Sequence, residues 1–203
     1  MNMNSSTPDN YAVFEDEVKR NFYFLEQQYG FRRTPIKQVG YAKVIRFESP
    51  LIYVNLFYGP PAYEPTISFG RIGIDDAPGA YRFDQGDLVQ LNSSAGWKWD
   101  PASPNNAVLV ELISGLAQVL RECGAACLTG DQATFEEMKA RRDSAVKVWH
   151  EQERVNGIRK KVLSAWNRKD YGTVVSLYET IKDMLTETEN RKLDYAKKQL
   201  PNS

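Results

Sequence analysis

Proline holds φ near −65° and removes a backbone donor, so it interrupts helices and the interiors of sheets. Nine of the ten prolines in this chain lie in residues 1–104, the tenth is Pro201, and residues 105–200 hold none. The first half also carries most of the aromatic residues, while the second is rich in helix formers and cap residues. This asymmetry predicts an α+β fold: an N-terminal helix plus an antiparallel β-meander, followed by an all-helical C-terminal half. The compositional boundary divides the chain into residues 1–104 and 105–203, which could also pack as one unit.

Local patterns fill in the outline. Phe14, Val18, Phe22, Leu25 and Tyr29 recur at steps of four and three, one face of a helix over residues 11–29, with Gly30 placed to close it. Alternation predicts strands at residues 39–47, 51–58 and 64–72, joined by short links as a meander, with a fourth short strand at 72–74. Asp84 is placed to cap a short helix running through Leu88 and Leu91. Ser103 and Pro104 read as the N-cap and first residue of a helix carrying Val108, Leu112, Leu116, Val119 and Cys123. A long helix begins at Asp131, and Asn156-Gly157 is expected to break or bend it. Asp170 should cap the next helix, and Thr186-Glu187-Thr188-Glu189 matches a capping box before the last one.

The chain has 203 residues, 42% apolar, with 26 Lys and Arg against 26 Asp and Glu. This is the profile of an ordinary globular protein, long enough to bury a core without disulfides. Zero net charge disfavours a generally cationic nucleic-acid binder. The polar residues 1–10 lack the basic and apolar segments of a secretory signal. No apolar run approaches the ~18 residues of a membrane span, since Arg46, Asn55 and Glu111 interrupt the longest ones. A cytoplasmic protein without membrane contact is the expectation.

The chemistry-bearing residues are sparse. Cys123 and Cys127 lack the further ligands that a metal site needs, His150 being the single histidine, and they read as small apolar residues near a helix end. His150 sits among charged residues with no nucleophile motif such as G-x-S-x-G in the chain, and reads as a surface histidine. Asp75, Asp76, Asp84 and Asp87 do not have the spacing of a calcium loop, and turn formation and capping account for each. Gly70-Arg71-Ile72-Gly73 matches no phosphate-binding loop. No catalytic residue, metal or cofactor is therefore assigned, and the chain reads as a non-enzyme. The best basic cluster, Arg159, Lys160, Lys161, Arg168 and Lys169, lacks interleaved aromatics and reads first as a solvated helix face, which disfavours nucleic acid. Trp97 and Trp99 stand two apart in a polar, Pro-bounded loop, so both indoles share a side if it is extended. Tyr58 and Tyr63 bracket the rigid turn Gly59-Pro60-Pro61-Ala62. Aromatic anchors of this kind dominate protein interfaces. These four residues form the candidate protein-binding site.

Two stretches carry a resemblance. Phe24-Leu25-Glu26 through Tyr29-Gly30-Phe31, then Ser49-Pro50-Leu51-Ile52-Tyr53-Val54, then Tyr81-Arg82-Phe83-Asp84 before Leu88, resemble bacterial cytosolic proteins of which some are similar to immunity proteins of toxin systems. Ala165-Trp166, Asp170-Tyr171, Val174 and Tyr178 resemble one helical hairpin of a tetratricopeptide unit, without a second copy. The first resemblance implies a fold and a protein partner, either a toxin or a subunit of a complex. Together with the residues above, it leads to a non-enzymatic, immunity-like protein-binding module that occludes its partner. The alternative is a nucleic-acid-associated accessory protein using the basic C-terminal helical face.

Overall fold

The computed structural model describes residues 10–78, 80–91 and 106–200. The chain divides into two compact units, residues 1–140 and 141–203, and every regular element described after residue 105 is helical. The α+β architecture of helix, antiparallel sheet and helical second half is as the proline distribution predicts.

In the first unit, α1 (Asn10–Asn21) and α2 (Tyr23–Tyr29) replace the single helix of residues 11–29. Phe22 leaves helical geometry at φ −100° and ψ 7°. A straight helix would turn Phe24 away from the stripe; the break turns it inward, where it is buried beneath the Arg121 guanidinium at 4.4 Å. Gly30 closes α2 in the left-handed conformation.

The sheet has β1 (Arg32–Arg33), β2 (Lys37–Val39), β3 (Ala42–Glu48), β4 (Ile52–Tyr58), β5 (Thr66–Arg71) and β6 (Phe83–Asp84). Its order is β1-β3-β4-β5-β6, with β2 also pairing β3, and these pairings are antiparallel. Residues 39–47 are thus two strands rather than one. Gly40 takes φ +62°, as the first residue of a two-residue hairpin loop must, and Val39 pairs Ala42 across it. The short strand expected at 72–74 is instead a turn: the Ile74 and Asp75 N–H groups donate to the Arg71 carbonyl, and β6 forms later at Phe83.

Register aligns Phe47 with Val54 and Phe69, and Ile45 with Leu56 and Ile67, as cross-strand rows on one face. Phe14, Val18, Phe22 and Leu25 lie in one buried cluster with these rows, as do Leu109, Ile113 and Leu116 of α4 (Asn106–Cys123). The same cluster takes in Leu88 of α3 (Gln85–Leu91), Cys127 of α5 (Ala125–Leu128) and Phe135 near the start of α6 (Gln132–Asn167). The compositional boundary at 104 and the packing boundary at 140 are therefore different. The shift in composition marks a change of secondary structure, whereas α4 continues to bury the same sheet face.

In the second unit, the C-terminal part of α6 packs with α7 (Tyr171–Glu179) and α8 (Glu187–Gln199) around Val155, Val162, Ala165, Val174, Tyr178, Ile181, Leu193 and Ala196. Asn156-Gly157 does not break α6, which runs unbroken to Asn167. Val155, Ile158 and Val162 anchor one face on both sides of the glycine, and glycine inside a helix costs only about 1 kcal/mol relative to alanine. The caps form as read. Asp170 accepts from the Thr173 N–H at 3.1 Å, and Thr186 and Glu189 make a full capping box.

Candidate functional site

One end of the sheet is built from tyrosines. Tyr58, the last residue of β4, is 1% exposed and packs between Tyr11 at 5.5 Å, Phe14 at 5.3 Å and Tyr63 at 6.1 Å between ring centroids. It is a core residue that pins the turn after it, and a side chain so enclosed offers no surface to a partner. The Tyr11 hydroxyl donates to the Tyr41 carbonyl at 2.6 Å. Gly59 runs so close to Ala42 that a Cβ built on it would lie 2.6 Å from the Ala42 Cα. The Tyr63 N–H closes the turn onto the Gly59 carbonyl at 2.9 Å. The hairpin loop at Gly40-Tyr41 and the turn of residues 59–63 are thereby fastened side by side.

What this end presents outward is Tyr41 at 81% exposure, Val39 at 62% and Tyr63 at 43%. Lys43 pairs with Glu15 and lies over the Tyr11 ring at 5.3 Å, tying α1 to the same end. Tyr63 is the one described member of the sequence-derived set that the structure leaves accessible. Trp97 and Trp99 lie outside the described residues. Tyr41 and Val39 escape notice in the sequence because alternation places them inside a strand; Gly40 between them is the signal that marks a hairpin loop.

The acidic residues expected to form turns and caps have those partners. The Arg71 guanidinium meets Asp75 at 2.8 and 3.1 Å, the Arg71 N–H donates to it at 2.8 Å, and the Tyr53 hydroxyl donates to the Asp75 carbonyl at 3.0 Å. Asp76 accepts from the Gly73 N–H at 2.7 Å and from Arg46 at 3.1 Å, and these bonds hold its carboxyl below the usual range. Arg46 in turn lies over the Tyr53 ring at 4.5 Å, and burial pushes that phenol up. Asp87 accepts from the Asp84 N–H and Asp84 from the Gly86 N–H, fixing the start of α3. A cleft of about 470 Å³ beside them is lined by Thr66, Ser68, Arg82, Asp84 and Gln85. Among the described residues, no three His, Cys, Asp or Glu are grouped to hold a metal ion. Burial pushes the Cys127 thiol up to about 12, which suppresses the nucleophilic thiolate. His150 is on the exposed face of α6 beside Trp149.

The second unit differs in charge. Residues 141–203 hold 14 Lys and Arg against 9 Asp and Glu, whereas residues 1–140 hold 12 against 17. The zero of the whole chain conceals a basic unit and an acidic one. Two of the five basic candidates are engaged within the chain. Arg159 is engaged by Glu189 at 2.7 and 3.1 Å and by the Met184 carbonyl at 3.0 Å, which locks α6 to α8. Arg168 donates to the Ser164 hydroxyl at 3.0 Å. Lys160, Lys161 and Lys169 are exposed, and consecutive Lys160 and Lys161 point about 100° apart around the helix. The structure does bring together aromatics that the sequence separates. Trp166, Tyr171 and Tyr195 form a triangle with centroids 5.6–5.8 Å apart, and the Lys192 ammonium lies over the Trp166 ring at 5.6 Å.

Comparison with family models, with curated proteins and with solved structures finds no match to this chain. Among the described residues, no helix is long and apolar enough to cross a membrane.

Proposed function

We propose that the chain is a non-enzymatic protein-binding module, immunity-like in its mode of action, that covers a partner's surface with the tyrosine-rich end of its sheet. The observation that carries this reading is the exposure of Tyr41 and Tyr63 on two loops held against each other by buried packing. Tyrosine brings a large amphipathic contact area with only two side-chain torsions to order, and loops fixed beforehand lower the ordering cost of association. The excess of acids in residues 1–140 suits a partner with a positive surface, and such complementarity raises the rate of encounter more than the final affinity. The partner would be a toxin or a subunit of a complex, met in the cytoplasm.

Affinity capture from the native cell tests the reading, with wild type compared against the double variant Tyr41→Ala/Tyr63→Ala. A partner held by wild type should be lost from the double variant, since an interface anchor contributes about 2 kcal/mol or more. The single variant Tyr41→Ala should leave the thermal melt nearly unchanged, because that side chain is 81% exposed, whereas Tyr63→Ala also removes a ring packed on the buried Tyr58 and should lower it. Equal recovery of the same partners by both proteins would refute the assignment.

A further inference from the structure

We propose that the second unit binds single-stranded nucleic acid on the aromatic triangle of Trp166, Tyr171 and Tyr195, flanked by Lys169, Lys192 and Lys198. Sequence-tolerant binding of a single strand needs two things at one place: ring faces on which bases stack, and cations that follow the backbone. The triangle supplies the first. Tyr195 is 48% exposed and is the ring open to a base, while Trp166 and Tyr171 are half-buried against the unit's core and back it, with the Lys192 ammonium over the Trp166 ring.

The cations are set around it by helix geometry. On α8, Lys192 and Lys198 stand at i−3 and i+3 from Tyr195, about 60° to either side of it around the helix and about 9 Å apart along the axis, so the ring lies between them. Lys169 follows Trp166 by three residues and is exposed with φ +60° where the chain leaves α6. The carboxylate that follows Lys169, Asp170, is turned to the start of α7 and accepts the Thr173 N–H, while the exposed Asp194 stands beside Tyr195 on α8. Five more cations than acids in residues 141–203 provide the field that draws a polyanion in. An acidic peptide would match the lysines but leave the ring faces without a complement, so the rings favour nucleic acid.

The test is fluorescence anisotropy with the full chain and a labelled thymidine oligonucleotide of about 20 nucleotides at low salt. Wild type should bind the single strand in preference to a duplex of the same length, and added salt should weaken binding. Tyr195→Ala should weaken binding about tenfold, while Tyr195→Phe keeps the ring and should bind like wild type. Lys198→Ala should weaken binding more than Lys197→Ala, which removes the same charge from a residue paired with Glu179. Circular dichroism of Tyr195→Ala establishes that its helices persist. No binding at low salt, equal affinity for the duplex, or unchanged binding by a folded Tyr195→Ala would each overturn the proposal. None of these results bears on the sheet-end surface of residues 1–140.

Discussion

The two units are held together by different physics. In residues 1–140, large aromatic and aliphatic side chains are fully enclosed: Phe14, Phe22, Phe47, Phe69, Phe83 and Phe135 all lie in one cluster with the sheet. In residues 141–203, the described core is Val155, Val162, Ala165, Val174, Tyr178, Ile181, Leu193 and Ala196, mostly small side chains, and polar fasteners supplement it. The Arg159–Glu189 fork, the Asp170 cap and the Thr186–Glu189 box each tie down a helix end or a helix pair. A small unit buries a lower fraction of its surface, so local hydrogen bonds carry a larger share of its stability. The same difference underlies the two proposals: the unit with the rigid core displays two fixed loops, and the unit with the polar fasteners carries the net positive charge.

Substitutions break this contrast from opposite sides. The largest effect is expected in the apolar unit, where Leu25→Ala should destabilise by about 2–5 kcal/mol, read as a drop in melting temperature. An unchanged melt would remove Leu25 from the core. Next, Glu189→Ala should cost the second unit about 1–2 kcal/mol by removing both Arg159 contacts and one half of the capping box. Hydrogen exchange should quicken in α7 and α8 and stay the same in the sheet; uniform quickening would show that the two units unfold as one.

Acid sharpens the comparison. Among the described residues, hydrogen bonding lowers the carboxyls of Glu151, Asp170, Glu179 and Glu189 in the second unit and of Asp76 and Asp131 in the first. A carboxyl lowered in the folded state stabilises above its unfolded value, about 4, and loses that contribution as pH falls through the folded value. Below about pH 4, protection in α7 and α8 should therefore be lost before protection in β3 and β4, and Glu189→Gln should reduce the pH dependence. Loss in the reverse order would contradict the polar basis assigned to the second unit. A smaller effect is expected from Thr186→Ala, about 1 kcal/mol, confined to α8 and its neighbours in a melt or in exchange. The smallest is Gly157→Ala. Nothing lies within 4 Å of a Cβ built there, so alanine in a continuous helix should stabilise by about 0.5–1 kcal/mol, and destabilisation would show a break at that point.

What was legible in the sequence was local. The stripe through Phe14, Val18, Phe22 and Leu25 and the caps at Asp170 and Thr186 depend on partners three or four residues away, so spacing alone locates them. Phe24, off that stripe, gives no local sign that the helix turns to bury it; its neighbour Arg121 comes from α4. Val39 and Tyr41 mimic strand alternation, and only the left-handed Gly40 separates hairpin from strand. The acidic and basic halves vanish in a net charge because their boundary is a packing boundary. Trp166, Tyr171 and Tyr195 come from three helices, so no chain-adjacent pattern could display them as one surface. Tyr58 adjoins a rigid turn in the sequence, but the cluster of Tyr11, Phe14 and Tyr63 that encloses it brings together two segments far apart in the chain.

The most direct test of the sheet-end assignment places a photo-crosslinking amino acid at Tyr41 and, separately, at Leu51. Leu51 precedes β4 at the opposite end of the sheet and is 62% exposed, so it matches Tyr41 in accessibility without sharing its surface. Irradiation in the native cell should yield a discrete adduct with one protein from position 41 and none of that species from position 51. The same adduct from both positions, or none from position 41, would contradict the account.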